Sequence, residues 1–180
     1  LFLRQLQALA LIRSGAPRKA QELLSGLLQE GHRDQRTLAP LARSHKDLAE
    51  RTTDPLLRRT HLELACGLFT EAYRLNRGMW SGINAATIAL LLGRQDEAEA
   101  LALEGESRGR DMQEALTADG KDPFWVAPIL GQAALIRGER EEALELYGLA
   151  VQLGRDRPAD LAEIRHNALE QVTKVNLGSG

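Results

Sequence analysis

Apolar residues recur along this chain at helical intervals, and glycines punctuate them. Residues 81–93, Ser-Gly-Ile-Asn-Ala-Ala-Thr-Ile-Ala-Leu-Leu-Leu-Gly, read as a small-residue helix opened by a Ser81 cap and closed by Gly93. Asp96-Glu-Ala98 then starts a second helix. The layout repeats, because Gly138 precedes Glu141-Glu-Ala143 in the same way and Gly15 stands the same distance ahead of Ala20. A helix, a glycine turn and a second helix make a hairpin, so the pattern predicts a stack of helix pairs.

Period and punctuation place the individual elements. A first helix is expected over residues 2–13, carrying Leu3, Leu9, Leu11 and Ile12 and stopping at Ser14-Gly15. A second, over 18–29, has Ala20, Leu23, Leu24, Leu27 and Leu28 on one side and ends before Gly31. Asp34 caps a third running to about residue 50, with Pro40 expected to kink it or delay its start. Asp54-Pro55 sets a cap ahead of a first-turn proline for a long fourth helix to about residue 75. A fifth covers 81–92 and a sixth runs from about 95 to about 116, after which Asp122-Pro123 repeats the cap-plus-proline device for a seventh over 124–136. The eighth covers 139–153. The last runs from Pro158 to about 175, where Leu161, Ile164, Ala168, Val172 and Val175 form an apolar stripe suited to the end cap of a stack.

Composition narrows the picture. A chain of 180 residues fits one domain, expected over 1–177, with 178–180 as a linker or tail. Residues are 43% hydrophobic but only 4% aromatic, so the core must be built from Ala and Leu, which suits closely packed helices. A net charge of −2 supplies no basic field for nucleic acid, and Arg58-Arg59-Thr60-His61 reads as a solvated helix face. The single cysteine, Cys66, falls at an apolar helix position, which implies a buried thiol in a reducing, cytoplasmic setting. The longest apolar runs are too short to cross a bilayer, so no membrane partner is expected. The start at Leu1 and the Gly178-Ser-Gly180 end are those expected of a fragment of a longer protein.

The repeat matches a known pattern. Leu130-Gly131, Ala134, Gly138, Ala143, Tyr147 and Ala150 stand at the spacing of the tetratricopeptide signature, in which small residues mark tight helix crossings. Second-helix positions recur as Ala20 with Leu24 and Leu27, Ala65 with Phe69 and Ala72, and Ala98 with Ala102 and Gly105. Extra residues at about 51–58 and 106–121 make the array divergent.

Finer motifs point to one subfamily. His45-Lys46-Asp47, Phe69-Thr-Glu-Ala-Tyr73, the Trp80 to Gly93 segment and Asp122-Pro-Phe-Trp125 occur in an order that resembles the helical, TRAF-binding regulatory region of apoptosis-signal-regulating kinases. It is also similar to the bacterial sensor class of tetratricopeptide domains, found beside caspase-like, CHAT or TIR effectors. The resemblance covers roughly residues 36–175. Arg43, Lys46, Asp47, Gly82, Ile83, Asn84, Ala85 and Trp125 match the family pattern, whereas His45 replaces a common aromatic and Ala42 a usual glycine. It implies a regulatory or sensing domain of a larger signalling or defence protein, without catalytic activity of its own.

The candidate chemistry has two readings at each position. Arg43 and Lys46 lie about one helical turn apart, and with Asn84 they could hold a phosphate or carboxylate. Alternatively Lys46 pairs with a neighbouring carboxylate and Asn84 bonds a backbone carbonyl or caps a helix. Trp80 and Trp125, each at a helix entrance, could stack a base or anchor a peptide, or could serve as staples between hairpins. His32, His45, His61 and His166 lack metal-ligand spacing, Gly105 and Gly109 form no dinucleotide or Walker loop, and Glu139, Glu141, Glu142 and Glu145 sit at exposed helix spacing. No metal, cofactor or enzymatic activity is expected.

These readings predict an all-α, TPR-like right-handed superhelix of about four helical hairpins plus a C-terminal capping helix. The expected function is a sensor that binds a small anionic, nucleotide-like ligand at Arg43, Lys46, Trp80, Asn84 and Trp125 and controls an attached effector. The alternative is a scaffold for a peptide or partner domain. A sensor requires Arg43, Lys46 and Asn84 to converge on one concave pocket, and a scaffold requires an extended groove with apolar patches. A structural spacer or oligomerisation module would need neither.

Overall fold

The structure, a computed structural model, describes residues 1–120 and 123–177. Helices alone build it among those residues. α1 (Phe2–Arg13) pairs with α2 (Pro17–Gln29), α3 (Gln35–Arg51) with α4 (Pro55–Asn76), α5 (Met79–Leu91) with α6 (Gln95–Ala118) and α7 (Val126–Ile136) with α8 (Arg140–Leu153). Successive hairpins meet where α2 touches α3, α4 touches α5 and α6 touches α7. The terminal helix α9 (Pro158–Leu177) packs on α7 at the end of the stack and reaches α5 as well.

Local chemistry sets most of the element ends. The Asp34 carboxylate accepts the Thr37 N–H at 3.0 Å to open α3, and Asp54 accepts the Leu56 N–H at 2.9 Å to open α4. Pro55 then occupies the first turn, where its missing N–H costs nothing. Gly93 and Gly138 close α5 and α7 with φ of 78° and 80°. At each, the glycine N–H and the one after it reach back to two orphan carbonyls of the last turn, Leu90 and Ala89 in one case and Leu135 and Ala134 in the other.

Several expectations are corrected. Ser81 does not cap α5. The helix starts two residues earlier at Met79, with Gly78 at the cap position, and Ser81 is buried in the first turn with its hydroxyl unpartnered. The turn is already complete without it, because Arg77 closes α4 at φ 53° and the Asn76 side chain accepts the Gly78 N–H at 2.9 Å. α3 is not delayed by Pro40, which lies inside the helix. Asp122 of the second cap-plus-proline device, the Val175 side chain and residues 178–180 lie outside the described residues, and α7 begins at Val126 with Phe124 and Trp125 in the turn before it.

Small residues let the helices cross closely. A Cβ on Gly82 would lie 3.1 Å from the Tyr73 ring, and one on Gly131 would lie 3.1 Å from the Tyr147 ring. The main core runs from α3 to α7 around Phe69, Ala65, Ala85, Ile88 and Leu130, and a smaller one joins Ala8, Leu24, Leu27 and Leu41. In α1 the buried residues are Gln5 and Ala8, not the leucines, and Leu3 is 78% exposed. As the edge of the stack, α1 has neighbours on one side only, so its remaining apolar residues face the inner groove or solvent.

The acidic residues after α7 also do more than solvate the array. Arg137 bonds Glu106, Glu139 and Glu142, and Arg110 donates to Glu106 at 2.8 Å and also meets Glu142. This network ties α6 to the α7–α8 turn.

Candidate functional site

The first helices of three hairpins line one side of the stack, and α9 crosses it. On α3, Arg43 and Lys46 project from successive turns. α5 contributes Trp80, Asn84 and Thr87, which fall at helical intervals on one face. Trp125 comes from the turn before α7, Pro128, Ile129 and Gln132 from α7 itself, and Glu163, Ile164 and Asn167 from α9. Together they enclose a cavity of about 90 Å³. All five residues singled out in the sequence, Arg43, Lys46, Trp80, Asn84 and Trp125, are therefore on its wall.

A larger groove of about 770 Å³ continues from this cavity, sharing Arg43, Trp80, Trp125 and Glu163 with it. Its far wall is the inner face of α1, with Phe2, Leu6, Leu9 and Ile12, and Arg13 and Arg36 stand at its edge. The cavity alone is smaller than the roughly 300–1,000 Å³ typical of small-molecule pockets, whereas the groove falls within that range.

Both tryptophans are half-exposed and braced from behind. Trp80 is 40% exposed and meets the buried Phe69 edge-on, with ring centroids 5.4 Å apart. Trp125 is 51% exposed and meets the buried Phe124 edge-on at 4.8 Å. Each indole thus has a fixed inner edge and a free outer surface.

The cations are already engaged. Arg43 Nε donates to Asp47 at 2.9 Å, and its Nη2 meets Glu163 of α9 at 3.0 Å. Burial opposes the Arg43 charge, yet those two carboxylates outweigh it and hold the guanidinium pKa above its usual value. Lys46 is only 7% exposed, and its Nζ donates to Asn167 Oδ1 at 3.1 Å with Glu50 at 3.8 Å. The Asn84 amide donates to the Trp80 carbonyl at 2.8 Å, which fixes it along the helix. The structural partners weighed for Lys46 and Asn84 are thus present, in addition to the convergence on one cavity.

Sequence reasoning missed the contributors from α9, and it missed a histidine pair. His45 Nδ1 lies 3.0 Å from His61 Nδ1, so one ring donates and the other accepts. His61 is thus half-buried against α3, in place of the solvated face expected of residues 58–61. Burial, and the cost of a second charge beside His61, push His45 down to about 4. Above pH ~6.5 both the folded and unfolded forms are neutral at this position. As pH falls from there toward 4, the unfolded chain takes up a proton that folded His45 refuses, so stability is lost over that window. A loss of about 2 kcal/mol is expected, allowing for solvent that reaches the pair through His61. Urea unfolding at pH 7 and pH 4.5 measures it. His45→Phe should flatten the difference, and an unchanged pH dependence in that variant would assign the acid sensitivity elsewhere.

Cys66 is buried, with Sγ 3.9 Å from the Ala85 carbonyl, and burial raises its thiol pKa, as suits a packing residue and not a nucleophile. No helix among the described residues is long and apolar enough to cross a membrane, and no three of their His, Cys, Asp or Glu side chains cluster as for a metal.

Comparison with known proteins agrees with this architecture. The family model described as Tetratricopeptide Repeats-Sensor matches residues 2–91, the stretch that carries Arg43, Lys46, Trp80 and Asn84. Among solved structures, the chain is similar to a thermophilic TPR protein of Thermus thermophilus, with a TM-score of 0.65 and 20% identity over 92% of this chain and 80% of that one. At that identity the likeness is one of fold. None of the curated proteins is significantly similar in sequence.

Proposed function

Because this chain belongs to the Tetratricopeptide Repeats-Sensor family, we propose that it is a non-catalytic sensor whose concave face takes a small anionic, nucleotide-like ligand and so controls an attached effector. The observation that carries this reading is the convergence of Arg43, Lys46 and Asn84 with Trp80 and Trp125 on one cavity, although they come from α3, α5 and the turn before α7, far apart in the chain. A guanidinium and an ammonium side by side complement phosphate oxygens, and a braced indole offers a stacking surface for a base. Ligand contacts with α3, α5 and α7 at once would bias how those hairpins pack, which is how a repeat array can pass a signal to a neighbour.

A thermal-shift screen against nucleotides, NAD-derived metabolites and phosphosugars tests the proposal. A ligand at about 100 times its Kd should add roughly 2.7 kcal/mol of apparent stability, and Lys46→Ala should abolish the shift. No shift with any compound, or an equal shift in the variant, would count against this site.

A second reading is favoured by the apolar wall of the large groove. Phe2, Leu6 and Leu9 are exposed there beside Arg13 and Arg36, an arrangement that suits a peptide or partner domain. Repeat folds of this type commonly serve protein interaction, and pull-down of a partner lost on Leu6→Asp would support that reading.

A further inference from the structure

We propose that α9 is a displaceable strap, its Glu163 carboxylate standing where a ligand's anionic group would sit on Arg43, so that ligand binding and α9 docking compete. This rests on the anion-site reading above and adds its regulation.

Three polar residues fasten α9 over the inner helices. Glu163 meets Arg43 at 3.0 Å, Asn167 accepts from Lys46 at 3.1 Å, and Gln171 donates to Thr87 Oγ1 at 2.7 Å. They lie four residues apart along α9 and so share one face of that helix. The two candidate cations are among the groups α9 grips, and the third fastening holds Thr87 on the same cavity wall.

Charge makes the two states exclusive. Around the cavity, Arg43 and Lys46 face the carboxylates of Asp47, Glu50 and Glu163, so the cations are already neutralised while α9 is docked. An incoming anion would meet Glu163 as a like charge at the same guanidinium, and it gains Arg43 only once Glu163 leaves. Asp47 belongs to α3 itself and cannot swing away with α9.

Among the described side chains of α9 apolar burial is limited: Ile164 is buried and Leu161 and Ala168 are half-buried, but Leu169 is 54% exposed and Val172 37% exposed. Gln171 is buried with its Oε1 unpartnered, a cost that undocking would relieve. A helix held by a few polar contacts and little apolar burial belongs to the easily opened part of a fold.

Inorganic pyrophosphate is the probe. Its titration into the wild-type protein and Glu163→Gln can be followed by tryptophan fluorescence, since the two tryptophans of the chain, Trp80 and Trp125, both line the cavity. Hydrogen exchange of α9 is read in parallel, with α8 as the internal reference. Glu163 is half-exposed and Gln is isosteric, so the variant should fold. The variant is expected to bind roughly tenfold more tightly, the usual scale for one charge-assisted contact. Pyrophosphate should also speed exchange in α9 of the wild type while leaving α8 unchanged. Equal affinities, or tighter binding without faster α9 exchange, would overturn the strap and leave the anion site standing. Absence of binding to both proteins would remove the anion site, and the strap with it.

Discussion

Phe69→Ala should lower the unfolding free energy by about 3–5 kcal/mol, the range for removing a buried phenyl ring from a core that cannot fully collapse around the gap. Phe69 is fully buried in α4, within the cluster formed by Ala65, Ala85 and Ile88. A loss of that size is a large share of the roughly 5–15 kcal/mol that holds a typical domain together. The effect should also reach the site, because the ring supports Trp80 edge-on at 5.4 Å. Urea unfolding measures the first consequence, and the accessibility of Trp80 to a fluorescence quencher measures the second. A loss below about 1 kcal/mol would mean that neighbouring side chains refill the space, contrary to the close packing around the ring.

Gly154→Ala should cost about 3 kcal/mol, at the upper end of the usual overpacking range. A Cβ at this position would fall 2.3 Å from Phe124 Cε2, 2.9 Å from the Ala150 carbonyl oxygen and 3.0 Å from Leu161 Cδ2. The carbonyl cannot step aside. The Phe124 ring is fully buried, with Trp125 against it at 4.8 Å and the Arg157 guanidinium 4.6 Å from its centroid. Backbone conformation adds nothing to the penalty, since φ at Gly154 is −97°, which alanine adopts freely. Gly148, in the middle of α8 with open space where a Cβ would go, is the natural control. Gly148→Ala should raise stability by about 0.5–1 kcal/mol through helix propensity. If the two alanines changed the melting temperature alike, the crowding at Gly154 would be refuted.

Both substitutions act on aromatic residues behind the site, whose bracing role no local sequence pattern reveals. Trp80 and Trp125 are recognisable as candidates because an aromatic at a helix entrance is unusual in a chain with so few. That each is braced by a buried phenylalanine depends on distances across helices. The spacing of Arg43 and Lys46 places them on successive turns of one helix, and Asn84 stands out as a polar residue in an apolar helix. Their convergence, however, needs α3, α5 and α7 to lie side by side. Ser81 misleads for a related reason. A hydroxyl residue before an apolar run looks like a cap, but the start of α5 is set upstream by Arg77, Asn76 and Gly78. The leucines of α1 mislead because a helical period shows that a face exists, not whether a neighbour will cover it.

Caps, glycine turns and small residues act over a few positions through local backbone hydrogen bonding and sterics, so the helices, their hairpin order and the close crossings are legible in the chain. Asp34, Asp54, Gly93, Gly138 and Gly131 each do so through groups within a turn or through a helix packed directly alongside. That Glu163, Asn167 and Gln171 lie across the inner helices, and that His45 meets His61, depends instead on long-range packing. Those residues are ordinary polar positions on amphipathic helices. Their partners stand 16 to 121 residues away, as His61 does from His45 and Asn167 from Lys46, so the contacts arise from how whole hairpins stack and not from any local preference.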